Sequence, residues 1–199
     1  MERNHGKKDF KFDKRAEKYD EGFEGKVSGK LYSLITTHVD LREGYRILDV
    51  GCGTGTLLKR LSEKCNVECH GIDVEEEMLR RAREKCPQMD IRLSSCEATP
   101  YENEYFDVIV ACMAYHHFPD KEAFAEEASR IIKKGGRLYI ADPKFPFVIR
   151  KMINKALSIH NIAGEFFSEI EIADKFLKFG FEMKASYSDV YAQIVILEQ

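Results

Sequence analysis

The chain has no long hydrophobic run. No apolar stretch approaches the roughly 20 residues that a helix needs to cross a bilayer. The N-terminal residues MERNH also lack the apolar core of a signal peptide. We therefore expect a cytoplasmic protein without membrane insertion.

A strong charge of either sign is also missing. The chain has 31 Lys and Arg against 34 Asp and Glu, a formal net charge of −3. This balance provides no general attraction for nucleic acid, and we expect no nucleic-acid partner. Low-complexity linkers and internal repeats are absent too, which predicts a single domain over residues 1–199. The apolar fraction of 44% is that of a globular protein with a full core.

Cysteine pairs of the C-x-x-C type are missing as well. The six cysteines are Cys52, Cys65, Cys69, Cys86, Cys96 and Cys112. Cys65 and Cys69 are four residues apart, but no pair of His or Cys completes a metal-binding set. We expect no metal site, and we expect reduced thiols that pack as small apolar side chains.

What the chain does have is a glycine-rich turn after a buried strand. Residues 47–55 read ILDVGCGTG, with glycines at the alternate positions Gly51, Gly53 and Gly55. Glycines remove β-carbons where a backbone must pass close to a ligand, and a helix follows directly. Asp49 adds a carboxylate at the mouth of the turn. The pattern predicts a nucleotide-type cofactor site at the carboxyl end of a central parallel strand, and the alternative is an ordinary strand-to-helix bend.

Strands and helices alternate along the rest of the chain. Apolar runs at 45–50, 68–74, 106–112 and 137–141 indicate strands, and residues 120–134 indicate an amphipathic helix that Gly135 and Gly136 end. Ser168-x-x-Glu171 is a capping box, which predicts a helix to about residue 179. The last two runs, 181–187 and 191–197, have no helix between them and should pair antiparallel, with 191–197 inside the sheet. The fold class is a doubly wound α/β sheet.

Several loops would converge on one crevice in such a sheet. Asp73 ends the second strand, where a carboxylate accepts both hydroxyls of a ribose. Residues 95–97 follow the third strand and residues 111–113 end the fourth. Each signal is weak alone, and their order and spacing together indicate a cofactor site.

These motifs resemble the class I S-adenosylmethionine-dependent methyltransferases, especially the small-molecule group of ubiquinone/menaquinone-biosynthesis type. Residues 47–55 look like the first motif of that family. The other matching segments are GID at 71–73, YFDVI at 105–109 followed by two histidines, KGGRL at 134–138, and FDKRAEKYD at 12–20.

The resemblance implies a Rossmann-like sheet of seven strands, mostly parallel with an antiparallel terminal strand, and S-adenosyl-L-methionine as the cofactor. The implied cofactor-binding residues are Tyr19, Asp49, Gly51, Cys52, Gly53, Gly55, Asp73, Val74, Met78, Ser95, Cys96, Glu97, Ala111 and Met113. The chain departs from the family at Ser95, where an Asp that reaches the adenine amino group is common. Serine accepts a hydrogen bond but brings no charge, so weaker cofactor binding is expected.

The implied partner is a small-molecule methyl acceptor. The N-terminal helices of residues 1–42 would cover the site. Residues 143–167 are rich in apolar side chains, which either line a pocket for an apolar or aromatic molecule or pack as a helix against the sheet. His116 and His117 are the candidate catalytic residues, with His117 nearer the acceptor; the alternative is that both only pack or cap the loop.

Three other functions fit part of this pattern. A nicotinamide dehydrogenase is disfavoured because its fingerprint is G-x-G-x-x-G, whereas this turn reads G-x-G-x-G. Methylation of nucleic-acid bases is disfavoured because no Asn-Pro-Pro-Tyr-type sequence follows the fourth strand. A non-catalytic module that binds S-adenosylmethionine or S-adenosylhomocysteine remains open. An acceptor pocket opposite the cofactor sulfur, lined by Tyr19, His116, His117 and residues 143–167, would distinguish an enzyme from such a module.

Overall fold

One seven-stranded sheet organises the computed structural model, which describes residues 23–199. The strands are β1 Arg46–Val50, β2 Glu68–Asp73, β3 Asp90–Leu93, β4 Phe106–Cys112, β5 Ile132–Pro143, β6 Glu182–Ser188 and β7 Ala192–Glu198. The helices are α1 Phe23–His38, α2 Thr56–Lys64, α3 Glu76–Lys85, α4 Lys121–Ile131, α5 Phe147–Ile159 and α6 Glu169–Leu177, with a 3₁₀ turn at Tyr115–His117. Of the predicted N-terminal helices of residues 1–42, the part before residue 23, including Tyr19, lies outside the described residues.

The strand order is β3-β2-β1-β4-β5-β7-β6. All neighbours are parallel except β7, which runs antiparallel to both β5 and β6. This confirms the predicted sheet, and it confirms that β7 is an interior strand. The order reverses between β1 and β4, so the loops that follow these two strands diverge and leave a crevice at the carboxyl edge.

Helices cover both faces of the sheet, as a doubly wound fold requires. Strand β4 is buried along nearly its whole length because its side chains enter the cores on the two faces alternately. One core contains Phe124 and Phe176 from α4 and α6, and the other contains Leu31, Ile35 and Leu57 from α1 and α2. Within residues 23–199, no helix combines the length and apolar character that crossing a bilayer requires.

The cysteines are as predicted. All six are free thiols, and five are buried. Burial raises the pKa of the thiols of Cys52, Cys69, Cys96 and Cys112, which keeps them protonated and unreactive at neutral pH. Among residues 23–199, no cluster of three or more His, Cys, Asp or Glu side chains has an arrangement suited to a metal ion.

The predicted helix over 120–134 is wrong at its end. Helix α4 stops at Ile131, and β5 begins at once with Ile132, which pairs with Phe106. Gly135 and Gly136 lie inside β5 rather than capping a helix, next to an irregularity in the β4–β5 register. A β-carbon on Gly136 would lie 2.9 Å from the Lys133 carbonyl oxygen, so the two glycines permit a bend within the strand.

The segment 143–167 contains a helix, α5, but its apolar residues do not pack against the sheet. Only Arg150 of this helix is buried. An aromatic residue after α5 does contact the rest of the protein. Phe166 stacks on His116, with ring centroids 4.7 Å apart. Of the two alternatives for this segment, the one in which it packs as a helix against the sheet is therefore wrong.

Helix α6 confirms the capping box. The Ser168 hydroxyl accepts a hydrogen bond from the Glu171 amide, and the Glu171 carboxylate accepts one from the Ser168 amide. The helix ends at Leu177, two residues before the predicted position, and Gly180 completes the turn with φ 88°. Ile172 and Phe176 thereby face the sheet.

We predict that Phe176→Ala destabilises the protein by about 3–5 kcal/mol, because it removes a ring with no exposed surface. The neighbouring Leu177 is 57% exposed, so Leu177→Ala should change stability by no more than about 0.5 kcal/mol. Urea unfolding followed by circular dichroism measures both. Equal losses for the two variants would contradict the assignment of this helix face.

Candidate functional site

The glycine turn between β1 and α2 has the backbone conformation that the sequence predicts. Gly51, Gly53 and Gly55 have φ angles of 75°, 52° and 73°, in the left-handed region that favours glycine. The amides of Gly51 and Cys52 both donate to the Ile72 carbonyl, at 2.8 and 3.0 Å. The turn is thus held against the end of β2, with its remaining amides at the N-terminus of α2.

Two of these glycines have different surroundings. A β-carbon on Gly51 would lie 2.5 Å from Ala114 Cβ, so the loop after β4 packs directly on the turn. A β-carbon on Gly53 would meet nothing within 4 Å. Gly51 is therefore required by the protein's own packing, whereas the open side of Gly53 is available to a ligand.

Asp73, at the end of β2, holds the turn in place. Its Oδ2 accepts a hydrogen bond of 2.8 Å from the Gly53 amide, and its Oδ1 accepts one of 3.0 Å from the Glu75 amide. Burial raises the pKa of Asp73, while the backbone amides that donate to it act in the opposite direction. The carboxylate is half-buried at the mouth of the crevice.

Asp49, at the end of β1, is a buried carboxyl group with unmet hydrogen-bonding capacity. Its Oδ1 is buried and has no hydrogen-bond partner among the described residues. Burial, and to a smaller extent the charge of Asp73, raises the pKa of Asp49 to about 8. Two desolvated carboxyl groups beside an open backbone turn would be stabilised in their charged forms by a cationic ligand.

The loop after β3 is held mainly by its own contacts. The Ser95 hydroxyl accepts a hydrogen bond of 3.2 Å from the Glu97 amide, and Glu97 Oε1 accepts one of 3.0 Å from the Asp120 amide at the start of α4. Cys96 is buried, and burial raises its pKa to about 12. Ser95 and Glu97 keep partial exposure.

The other predicted cofactor residues differ in accessibility. Val74 is exposed just beyond Asp73, whereas Met78 is buried and Ala111 has no exposed surface. Met113 is half-buried, and its φ of 57° is unusual for a residue with a side chain. Its amide donates to the Ala141 carbonyl at 2.9 Å, so the strained residue is held by β5.

The two histidines have different environments. His116 is buried, its Nδ1 donates to Asp142 Oδ1 at 2.9 Å, and its amide donates to Asp142 Oδ2 at 2.9 Å. His117 keeps part of its ring open to solvent. Crowding by protein atoms nevertheless lowers the pKa of His117, and the nearby charges of His116 and Lys121 lower it further. His117 is therefore a neutral imidazole at neutral pH, and it lies beside His116, whose ring is held by Asp142.

Asp142 and Phe166 are site residues that sequence reasoning did not assign. Asp49, Asp73 and Asp142 each stand at or near the end of an apolar run of the sequence. This repeated position is the one sequence signal that points to Asp142 as a site residue. Its pairing with His116 depends on β4 and β5 lying side by side. Phe166 has no comparable signal, since aromatic residues are frequent in the whole of 143–167.

The methyltransferase domain family matches residues 48–140, which include the glycine turn, Asp73 and both histidines. The match covers just under half of the chain. The resemblance to class I S-adenosylmethionine-dependent methyltransferases is thereby confirmed, and S-adenosyl-L-methionine is the cofactor that this family implies.

Relatives and solved structures agree with this assignment. A phosphatidylethanolamine N-methyltransferase of Cereibacter sphaeroides is 36% identical over 130 residues, 62% of this chain and 62% of that protein. A demethylmenaquinone methyltransferase of Chlorobaculum parvum is 33% identical over 101 residues, 51% of this chain and 42% of that protein. The chain spans about half the length of the curated relatives it matches.

The fold is also found in a chain from the complex between the Haloferax volcanii Trm112 methyltransferase activator and a methyltransferase. The TM-score is 0.79 at 18% identity, over 94% of this chain and 97% of that chain. At this identity the likeness concerns the fold, and it agrees with the seven-stranded methyltransferase sheet.

We predict that Asp49→Asn flattens the dependence of stability on pH. The folded chain holds the Asp49 proton up to about pH 8, whereas an unfolded Asp loses it near 3.8. The folded state thus binds more protons between these values, and this group's contribution to stability declines as pH rises through them, by at most about 1.4 kcal/mol per pH unit.

Urea unfolding at pH 5, 6, 7 and 8 tests this prediction. Wild type should lose stability more steeply than Asp49→Asn over this range, because asparagine resembles the neutral acid and does not titrate. The same slope in both proteins would mean that Asp49 is ionised in the folded chain at neutral pH.

Proposed function

We propose that this protein transfers a methyl group from S-adenosylmethionine to a small, apolar or aromatic acceptor. The observation that carries the proposal is the pair of desolvated carboxyl groups, Asp49 and Asp73, at a glycine turn whose Gly53 side is open. S-adenosylmethionine carries an ammonium and a sulfonium group, so its positive charges suit a site in which burial has raised the pKa of both acids.

The described residues fit this cofactor. The unpaired Asp49 Oδ1 would accept from its ammonium group, and Asp73 would accept from the ribose hydroxyls while it continues to hold Gly53. Ser95 and Glu97 would border the adenine. Ser95 brings no charge and already accepts from the Glu97 amide, so we expect the adenine to contribute less to affinity than it does with an Asp at this position.

The cofactor supplies an activated methyl group on sulfur, and the chain's residues have to align the acceptor with it. His117 is the candidate base because of its position in the turn after β4, next to His116. Its lowered pKa keeps the imidazole neutral at neutral pH but also makes it a weak proton acceptor, so the pKa does not by itself favour this role. His116 suits a positioning role, since Asp142 holds both its ring and its backbone amide.

Aromatic residues beside the histidines favour an apolar or aromatic acceptor. Phe166 stacks on His116, and Phe145 packs edge-on against Phe166 with centroids 5.0 Å apart. The names of the two relatives, which act on phosphatidylethanolamine and on demethylmenaquinone, support a small-molecule acceptor but do not agree on one compound.

We predict that Gly53→Ala abolishes or strongly weakens cofactor binding, whereas Gly44→Ala does not. Both glycines have positive φ, and a β-carbon on either meets nothing within 4 Å, so both variants should lose a similar ~1 kcal/mol of stability. Only Gly53 borders the proposed site. Calorimetric titration with S-adenosylmethionine and S-adenosylhomocysteine measures the affinity of each variant. Equal affinity in both variants would contradict the placement of the cofactor at the glycine turn.

We predict that His117→Ala lowers kcat by about 10²-fold or more for acceptors that must lose a proton, with unchanged cofactor affinity. The measurement is S-adenosylhomocysteine formation with a panel of phenols, quinols and amines, and His160→Ala, an exposed histidine beyond α5, is the matched control. Full turnover by His117→Ala would show that His117 does not act as the base. Cofactor binding by wild type without turnover of any acceptor would instead support the non-catalytic binding module.

A further inference from the structure

Helix α5 presents its apolar side to solvent. Phe147, Val148, Met152 and Ile159 are 66%, 66%, 67% and 68% exposed. Val148, Met152 and Ile159 are spaced by four and seven residues, which puts them on one face of the helix. This helix is described over its full length, and Arg150 is its single buried residue.

Polar contacts attach α5 to the rest of the protein. Arg150 forms an ion pair with Glu171 of α6. The Asn154 amide group donates to the Phe166 carbonyl at 2.9 Å, and its Oδ1 accepts from the Phe166 amide at 3.0 Å. The side of α5 that faces the protein thus combines Arg150 and Asn154 with the half-buried Ile153 and Leu157, whereas the exposed apolar residues named above lie on the solvent side.

The charged side chains of α5 itself are all basic. No Asp or Glu occurs between Asp142 and Glu165, although the whole chain has 34 of them. Lys151 and Lys155 are exposed and lie next to the apolar face on the helix surface. The helix that exposes these apolar side chains thus carries basic residues and no acidic ones, in a protein with a net negative charge.

The exposed apolar surface continues onto the turn between β6 and β7. Val190 and Tyr191 are 68% and 64% exposed. The Tyr191 carbonyl accepts a hydrogen bond of 2.9 Å from the Lys144 amide, which places this turn beside the segment that leads into α5. The acid in the turn, Asp189, accepts from the amides of Tyr191 and Ala192 and pairs with Lys30 at 3.5 Å.

We propose that α5 docks on the surface of an anionic lipid bilayer. Its apolar face would enter the boundary between headgroups and acyl chains, with Lys151 and Lys155 at the level of the lipid phosphates, as in interfacial amphipathic helices. The helix has 13 residues, about 20 Å, and lies in the plane of the membrane rather than across it. A second copy of the chain fits this face less well, since a two-fold contact would bring the same lysines together.

Vesicle flotation tests the proposal directly and independently of methyl transfer. We expect the protein to float with vesicles of equal parts phosphatidylglycerol and phosphatidylcholine, to bind pure phosphatidylcholine at least tenfold more weakly, and to be released by salt. Met152→Glu should reduce binding to the anionic vesicles at least tenfold. The matched control is Met183→Glu on β6, which is exposed but lies at the opposite end of that strand from the 189–191 turn.

A second pair of variants separates charge from apolar contact. Lys151→Gln with Lys155→Gln should weaken binding to anionic vesicles and leave the weak binding to phosphatidylcholine unchanged. Lys134→Gln, an exposed lysine near the other end of β5, should change neither. Circular dichroism confirms that each variant is folded.

Three outcomes would overturn the proposal. The first is no flotation with either vesicle, and the second is an equal loss of binding in Met152→Glu and Met183→Glu. The third is sedimentation velocity without lipid in which wild type self-associates and Met152→Glu does not, which would assign the face to a second copy of the chain.

Discussion

The hydrogen bond from the Gly53 amide to Asp73 joins the ends of β1 and β2, and the rest of the site depends on it. The three glycines of this turn, all with positive φ angles, have no side chains that could hold it. Asp73 and the Ile72 carbonyl supply the missing constraints from the neighbouring strand. Because the turn is held in this position, Ala114 can pack directly against the α-carbon of Gly51. The loop that contains the two histidines therefore lies beside the glycine turn.

Three acids lie at the carboxyl edge of the sheet; two are buried and Asp73 is half-buried. Asp49, Asp73 and Asp142 lie at or just before the ends of β1, β2 and β5. Asp142 is paired with His116, whereas Asp49 keeps an oxygen without a partner. Such an uncompensated group costs stability in the free protein, and that cost is recovered when a ligand of opposite charge binds. The arrangement thus links cofactor binding to the protonation of the site.

Local patterns predicted much of the fold. The glycine turn, the capping box at Ser168 and the antiparallel pairing of β6 with β7 follow from neighbouring residues and were confirmed. The junction at Ile131 and Ile132 was not predictable in this way, because both residues are apolar and suit a helix or a strand equally. Their assignment depends on Ile132 pairing with Phe106, which is distant in sequence. The cofactor-binding role of Tyr19 and the covering of the site by residues 1–22 stay predictions.

The residues alone were sufficient for the order of elements, the strand-end acids and the glycine turn, since each depends on backbone preferences and on burial patterns within a few positions. They were not sufficient for the partner of His116 or for the orientation of α5. The His116–Asp142 pair forms because β4 and β5 are adjacent, and α5 turns its apolar side outward because Arg150 and Asn154 find partners on α6 and on the segment before it. Contacts between residues far apart in sequence decide both features, and no local pattern encodes them.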